Sequence, residues 1–225
     1  MQPVPETRAP DGFGLWSVAT TEPSGVLPLN GGLSPAEVGT AVMRIAACND
    51  VDPDGDRPPR LAAALDSFLH GLLTFDDLFA TGGLRVTDTS TGVTFLPGCC
   101  DGLEDWRDWH RFADNGGLLG FGHDPVSRVA ESLGDTVRLT VDAEQHDSAV
   151  IELSVTGLRR LLTAAERDLT DFLTLAIDWS SRHLPGRCVP VTAALARVLD
   201  LPAPADAGRR RLTRWKVVTG VPGRG

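Results

Sequence analysis

The feature that most constrains this fold is a long apolar repeat in residues 156–183. Apolar side chains return there every three or four positions, which is the spacing of one face of an α-helix. They are Leu158, Leu161, Leu162, Ala165, Leu169, Phe172, Leu173 and Ala176. Pro185 and Gly186 stop the repeat, so we predict a helix from Thr156 to His183. At 1.5 Å per residue this helix is about 40 Å long, and it needs a broad apolar surface to cover.

Strands with one apolar face are predicted where apolar and polar side chains alternate. This alternation occurs in residues 84–87, 93–96, 136–142 and 150–155. The first two segments flank the turn Asp88–Gly92 and predict a hairpin. Because each segment has one apolar and one polar face, we predict that the four form one antiparallel sheet, which the long helix covers on one side.

Helical signals precede and follow these strands. Ser34 and Pro35 begin a helix that runs to about Cys48. Further helices are predicted from Pro59 to Leu73 and from Val191 to Leu199. The predicted fold class is therefore α+β: an antiparallel sheet of about four strands covered by a long C-terminal helix, with two N-terminal helices.

The chain has 225 residues, of which 42% are hydrophobic, and this is enough for one sizeable core. Residues 1–33 contain five prolines and are predicted to form an extended Pro/Gly-rich arm. A single α+β domain is predicted over residues 34–201, and a basic tail over 202–225. We expect residues 1–12 and 203–225 to add little to the stability of the fold.

Charge is divided unevenly along the chain. The formal net charge is −9, yet the last eighteen residues carry +6 and no acid, which leaves −15 on residues 1–207. An acidic body repels phosphate backbones and attracts basic proteins. We therefore expect a basic protein partner, and no nucleic acid except through the tail.

The cellular location is predicted from the absence of three sequence features. No apolar run approaches the roughly 18 to 20 residues of a membrane span. The four cysteines lack the spacing of a disulfide framework, and residues 1–10 lack a secretory apolar region. These features predict a cytoplasmic protein with no membrane partner.

Residues 97–110 concentrate thiols, indoles and carboxylates. Asp101 is placed to cap a helix that carries Trp106 and Trp109. In one interpretation these indoles are an exposed hot spot for a partner, and in the other they are buried in a core that is otherwise poor in aromatic residues. The carboxylates that would surround the hot spot are Asp101, Glu104, Asp105 and Asp108.

Two resemblances to known families bear on this segment and on the fold. The motif PGCC-x-GLEDW at residues 97–106, with the turn GFGHDP at residues 120–125, resembles a motif of uncharacterised actinobacterial proteins. This resemblance implies a shared fold over about residues 35–200 and no known activity. The order of helices, antiparallel hairpins and a long closing helix is similar to that of the SUKH superfamily of immunity proteins, whose members neutralise toxins by binding them.

Four residues are candidates for metal or thiol chemistry: Cys99, Cys100, His110 and His123. Adjacent cysteines do not match the spacing of structural zinc sites, so buried thiols are the simpler interpretation. His123 and Asp124 also fit a turn that starts a short helix from Pro125 to Leu133.

Asp50, Asp52 and Asp54 match the first half of a calcium-binding loop between two predicted helices. The last position of such a loop should be a glutamate and is Leu61. An acidic interhelical loop is therefore the simpler interpretation.

The sequence contains no nucleophile elbow, phosphate-binding loop or zinc-protease motif, and we predict no cofactor. We therefore predict a non-catalytic, immunity-like protein-binding module that uses the acidic, Trp-containing segment 97–110. The alternative is a thiol- or metal-dependent enzyme centred on Cys99 and Cys100, with His110 and His123 as its imidazoles.

Overall fold

The computed structural model describes residues 1–20, 25–52, 59–98, 100–122 and 126–203 of the chain. It confirms the α+β class, with helices and two antiparallel sheets. The helices are α1 (Pro35–Cys48), α2 (Ala64–Phe68), α3 (His70–Thr74), α4 (Trp106–Asn115), α5 (Val155–His183) and α6 (Cys188–Val198). The strands are β1 (Gln2–Pro5), β2 (Gly82–Thr87), β3 (Thr94–Phe95), β4 (Leu118–Phe121), β5 (Arg128–Leu133), β6 (Thr136–Thr140) and β7 (Val150–Ser154).

Helix α5 confirms the prediction from the apolar repeat. It begins at Val155, and the Ser154 hydroxyl accepts a hydrogen bond from the Gly157 amide at 3.0 Å. Most residues of its apolar stripe are buried. The helix contacts α1, α4 and α6, and also strands β6 and β7. The long helix therefore follows a four-stranded sheet and forms the centre of the core.

The four predicted strands exist, but they do not form one sheet. The hairpin β2–β3 joins β1 in a three-stranded sheet of order β1-β2-β3. Strands β6 and β7 belong to a second sheet, of order β4-β5-β6-β7. The prediction of a single sheet from residues 84–96 and 136–155 is therefore wrong, because three strands that complete the two sheets lack a clear alternating pattern.

Strand β5 replaces the short helix predicted from Pro125 to Leu133. Its residues, Arg128–Leu133, pair with β4 on one side and with β6 on the other. Of these residues Ala130 is fully buried and the rest are half-buried or exposed. Pairing with two neighbouring strands, rather than local propensity, therefore determines its conformation.

Capping explains why one N-terminal helix is predicted correctly and the other is not. At the start of α1 the Glu37 carboxylate accepts from the Ser34 amide at 2.7 Å, and the Ser34 hydroxyl accepts from the Glu37 amide at 3.4 Å. The helix predicted from Pro59 to Leu73 begins only at Ala64, and Ala63 before it offers no capping side chain. It is also divided into α2 and α3.

The N-terminal arm contains a strand, which counts against the expectation that residues 1–12 add little to the stability of the fold. Strand β1 pairs with β2, and its Val4 is completely buried. The carbonyls of Pro3 and Pro5 accept hydrogen bonds from amides of segment 27–29, at 2.8 and 3.1 Å. A proline has no amide to donate, and this strand uses only carbonyls at these two positions.

The predicted basic tail lies outside the described residues from 204 onward. Helix α6, which precedes it, ends at Val198, close to its predicted end. Among the described helices, none combines the length and the apolar character that crossing a bilayer requires.

Replacing Val4 by alanine tests whether β1 stabilises the fold. We expect the free energy of unfolding, measured in urea, to fall by about 2 kcal/mol, because a fully buried side chain is truncated. Val51→Ala, at a position that is 52% exposed, is the control and should change stability by less than about 0.5 kcal/mol. Equal stability of the two variants would show that β1 is dispensable.

Candidate functional site

The segment that follows β3 folds as a tight loop. The Asp101 carboxylate accepts hydrogen bonds from the amide of Gly98 at 2.5 Å and from the amide of Gly122 at 3.2 Å. A side chain at Gly98 would collide with the backbone of Gly122, so the crossing of these two segments requires glycine. Asp101 therefore closes the loop, and the prediction that it caps the next helix is wrong.

Helix α4 is started by the residues after Asp101. The Gly102 amide donates a hydrogen bond to the Asp105 carboxylate at 2.8 Å. Residues Leu103–Asp105 form a 3₁₀ turn that continues directly into α4. This turn fixes the positions of the acidic side chains relative to the helix.

Both tryptophans of α4 are buried, with Trp106 1% and Trp109 2% exposed. Trp106 donates its indole N–H to the carbonyl of Leu199 at 2.8 Å. Trp109 stacks on Phe121, with ring centroids 4.9 Å apart. The interpretation of these indoles as an exposed hot spot is therefore wrong, because the apolar face of α4 packs into the core between β4 and the end of α6.

The polar side of α4 lines a cleft of about 470 Å³, which we call the acidic cleft. Three of the four carboxylates predicted for binding line it: Glu104, Asp105 and Asp108. The rest of its lining comes from α4 itself, from the segment before β2 and from the end of α6: Arg107, Arg111, Asp76, Asp77, Leu78, Arg197 and Asp200. The sequence analysis missed these residues, although two adjacent acids after a predicted helix were a usable signal.

Two arginines of the acidic cleft are already paired with carboxylates. Arg107 pairs with Asp200, and its guanidinium carbon lies 4.3 Å from the centroid of a Trp106 ring. Arg111 pairs with Asp108. The described residues provide no ion pair for the other four carboxylates: Asp76, Asp77, Glu104 and Asp105.

Burial and neighbouring carboxylates determine the electrostatics of the acidic cleft. Burial raises the pKa of Glu104 to about 7, and the charge of Asp105 adds to the shift. The Oε2 atom of Glu104 is buried and has no hydrogen-bond partner among the described residues. Burial also raises the pKa of Asp105, and repulsion from Asp108 and Asp101 raises it further. A cation placed in the cleft would favour the ionised form of these groups.

The described residues do not assemble a metal or thiol site. Cys99 and His123 lie outside them, and Cys100 is exposed. His110 packs edge-on against Trp106, with ring centroids 5.4 Å apart. Within the described part of the chain, no group of three or more His, Cys, Asp or Glu side chains is placed to hold a metal ion. The thiol or zinc hypothesis stays a prediction.

The acidic loop after α1 is paired internally. Asp50 pairs with Arg60, and Asp52 lies 3.4 Å from the same guanidinium group. Asp54, the third candidate calcium ligand, lies outside the described residues. Because both described carboxylates contact the guanidinium group of Arg60, the interhelical-loop interpretation is favoured.

Comparison of the chain with models of protein families, with curated proteins and with solved structures finds no match. The resemblances to the actinobacterial motif and to the SUKH superfamily therefore stay predictions. The function has to be argued from the geometry and the charges of the acidic cleft.

Replacing Glu104 by glutamine tests the electrostatics of the cleft. The pKa of Glu104 is about 7 in the folded chain, against an ordinary value of 4.5. Between these pH values the folded state binds more protons than the unfolded state, so stability decreases as the pH rises. At pH 8 we expect the glutamine variant to be more stable than the wild type by about 1 kcal/mol, a value reduced because Glu104 is only half-buried.

The difference between variant and wild type should vanish below pH 4.5, where Glu104 is protonated in both states. Urea unfolding at several pH values measures it. Glu144→Gln, in an exposed turn between β6 and β7, is the control and should show no such gain. A Glu104→Gln variant that is no more stable than the wild type at pH 8 would contradict an uncompensated charge at this position.

Proposed function

We propose that the protein is a non-catalytic binding module and that its acidic cleft holds a basic segment of a partner protein. One observation carries the proposal: four carboxylates without an ion pair in the described residues line one concave site. Arginine and lysine side chains fit such a site, because a guanidinium or ammonium group can hydrogen-bond several carboxylates at once.

The surroundings of the cleft support a charged rather than an apolar contact. Arg107 and Arg111 pair with Asp200 and Asp108, and Arg197 is the third arginine of the described lining. The six acids of the lining therefore outnumber its three arginines, so acidic groups dominate the cleft. The charge of −15 on residues 1–207 would steer a basic partner toward the protein before contact. Attraction of this kind raises the association rate most at low ionic strength.

The rigidity of the cleft supports binding without a large ordering cost. Trp106 and Trp109 are buried, and the Trp106 indole is hydrogen-bonded to the end of α6. Asp108 on α4, and Glu104 and Asp105 in the 3₁₀ turn that leads into it, are therefore attached to a helix that the core holds in place. A preorganised site loses less entropy on binding than a flexible one.

The finer parts of the proposal rest on the sequence. The SUKH likeness suggests a toxin as the basic partner, and the spacing of the four cysteines suggests the cytoplasm as the location. We include no membrane partner and no nucleic acid, except through the basic tail. The alternative is a thiol- or metal-dependent enzyme, and two of its four residues, Cys99 and His123, lie outside the described residues.

A peptide of alternating glycine and arginine tests the proposal, with a peptide in which citrulline replaces arginine as the neutral control. We expect the arginine peptide to bind at least about tenfold more tightly at low salt, as measured by calorimetry. At pH 8, above the pKa of Glu104, the double variant Glu104→Gln/Asp105→Asn should weaken this binding about tenfold, because it removes two carboxylates without an ion pair and keeps the side-chain size.

The matched control carries the same charge change away from the cleft. Glu144→Gln/Asp147→Asn, in an exposed turn, should alter the affinity by less than about twofold. If both double variants weaken binding equally, the overall negative charge of the protein attracts the peptide, and the cleft is not the binding site. Equal binding of the two peptides would also contradict the proposal.

A further inference from the structure

A second cavity, of about 480 Å³, opens where strands β1 and β3 end. Its walls are residues 6–8, 25–26, 82 and 96–98. This volume lies in the lower half of the range of small-molecule sites, about 300 to 1,000 Å³. None of its lining residues belongs to the acidic cleft, so the cavity is independent of the proposed function.

Much of the cavity wall is apolar or bare backbone. Val26, Leu96 and Pro97 supply apolar surface, and Gly25 and Gly82 leave the backbone uncovered. A wall of this kind suits the compact apolar body of a small molecule. It also means that only a few polar groups can orient a ligand.

Thr7 is the first of these polar groups. It lies in the cavity wall and is 3% exposed. Its amide donates to the carbonyl of Gly25 at 2.8 Å, but its buried hydroxyl has no hydrogen-bond partner among the described residues. A buried hydroxyl without a partner is unfavourable, so it is a candidate for an interaction with a ligand.

The charged groups of the cavity determine whether it favours an anionic or a cationic ligand. Glu6 is paired with Arg44, which lies outside the lining, at 3.4 Å. Arg44 also donates to the carbonyl of Arg8 at 3.4 Å and so holds this part of the wall on α1. Arg8 is exposed and forms no ion pair with any described residue. Among the described residues of the lining, the uncompensated charge is therefore positive, although the protein as a whole is acidic.

We propose that this cavity binds a small organic anion, with a carboxylate or phosphate group on a compact apolar body. The anionic oxygens accept hydrogen bonds from the guanidinium group of Arg8 and from the hydroxyl of Thr7. The apolar body packs against Val26, Leu96 and Pro97. A guanidinium group can donate two hydrogen bonds at once to a carboxylate or to a phosphate, so both anions belong to the proposed class.

Benzoate and phenyl phosphate are the probes, with benzyl alcohol as the neutral control and inorganic phosphate as the control without an apolar body. Binding is followed by the NMR shifts of the backbone amides of residues 6–8, 25, 26, 96 and 98. We expect at least one organic anion to bind saturably, and about tenfold more tightly than either control. The tighter of the two probes identifies the anionic group. No saturable binding, shifts confined to other residues, or equal affinity for a control would overturn the proposal.

Substitutions assign the contacts. Arg8→Gln should weaken binding of the anion about tenfold and leave benzyl alcohol unaffected. Thr7→Val removes the hydroxyl and should weaken binding several-fold, whereas Thr7→Ser keeps the hydroxyl and should retain it. Arg160→Gln, on the exposed side of α5, is the control for the loss of one positive charge. An Arg8→Gln variant that binds the anion as the wild type does would overturn the proposal, whether or not Thr7→Val folds.

Discussion

Burial of the two indoles of α4 is the interaction on which the candidate site depends. Trp109 is packed on Phe121 and Phe95, and Trp106 is hydrogen-bonded to the carbonyl of Leu199. An indole buries a large apolar area, and its N–H needs a partner when water is excluded. Together these contacts fasten α4 to β3, β4 and the end of α6, and the half-buried Glu104 and Asp105, in the 3₁₀ turn that leads into α4, line the cleft.

The charge of the cleft is a consequence of this packing. Because α4 is fixed close to the segment before β2, Asp76 and Asp77 line the same cleft as Glu104 and Asp105. The raised pKa values of Glu104 and Asp105 follow first from burial, and then from the repulsive charge of Asp105 on Glu104 and of Asp108 and Asp101 on Asp105. A cationic partner would relieve that repulsion, which connects the fold to the proposed binding function.

Sequence reasoning succeeded where a local pattern determines the structure. The apolar stripe and end of α5, the capping box of α1 and the hairpin β2–β3 are all encoded by neighbouring residues. Strands β1, β4 and β5 were missed because their conformation depends on pairing with distant strands, and proline in β1 concealed it further. In the cleft, the acids of the α4 segment were predicted, but Asp76, Asp77 and Asp200 come from segments that only the tertiary fold brings there. The helical spacing of Trp106 and Trp109 placed both indoles on one face of α4, but it did not indicate which elements cover that face.

The unfolding free energy of a Trp109→Ala variant tests most directly whether the indoles that hold α4 in place are buried in the core. Urea unfolding should show a loss of about 3 to 5 kcal/mol relative to the wild type, because a large side chain that is 2% exposed is removed from the core. Near-unchanged stability, combined with loss of binding to the arginine peptide, would contradict this, since it would mean that the indole is an exposed contact for the partner.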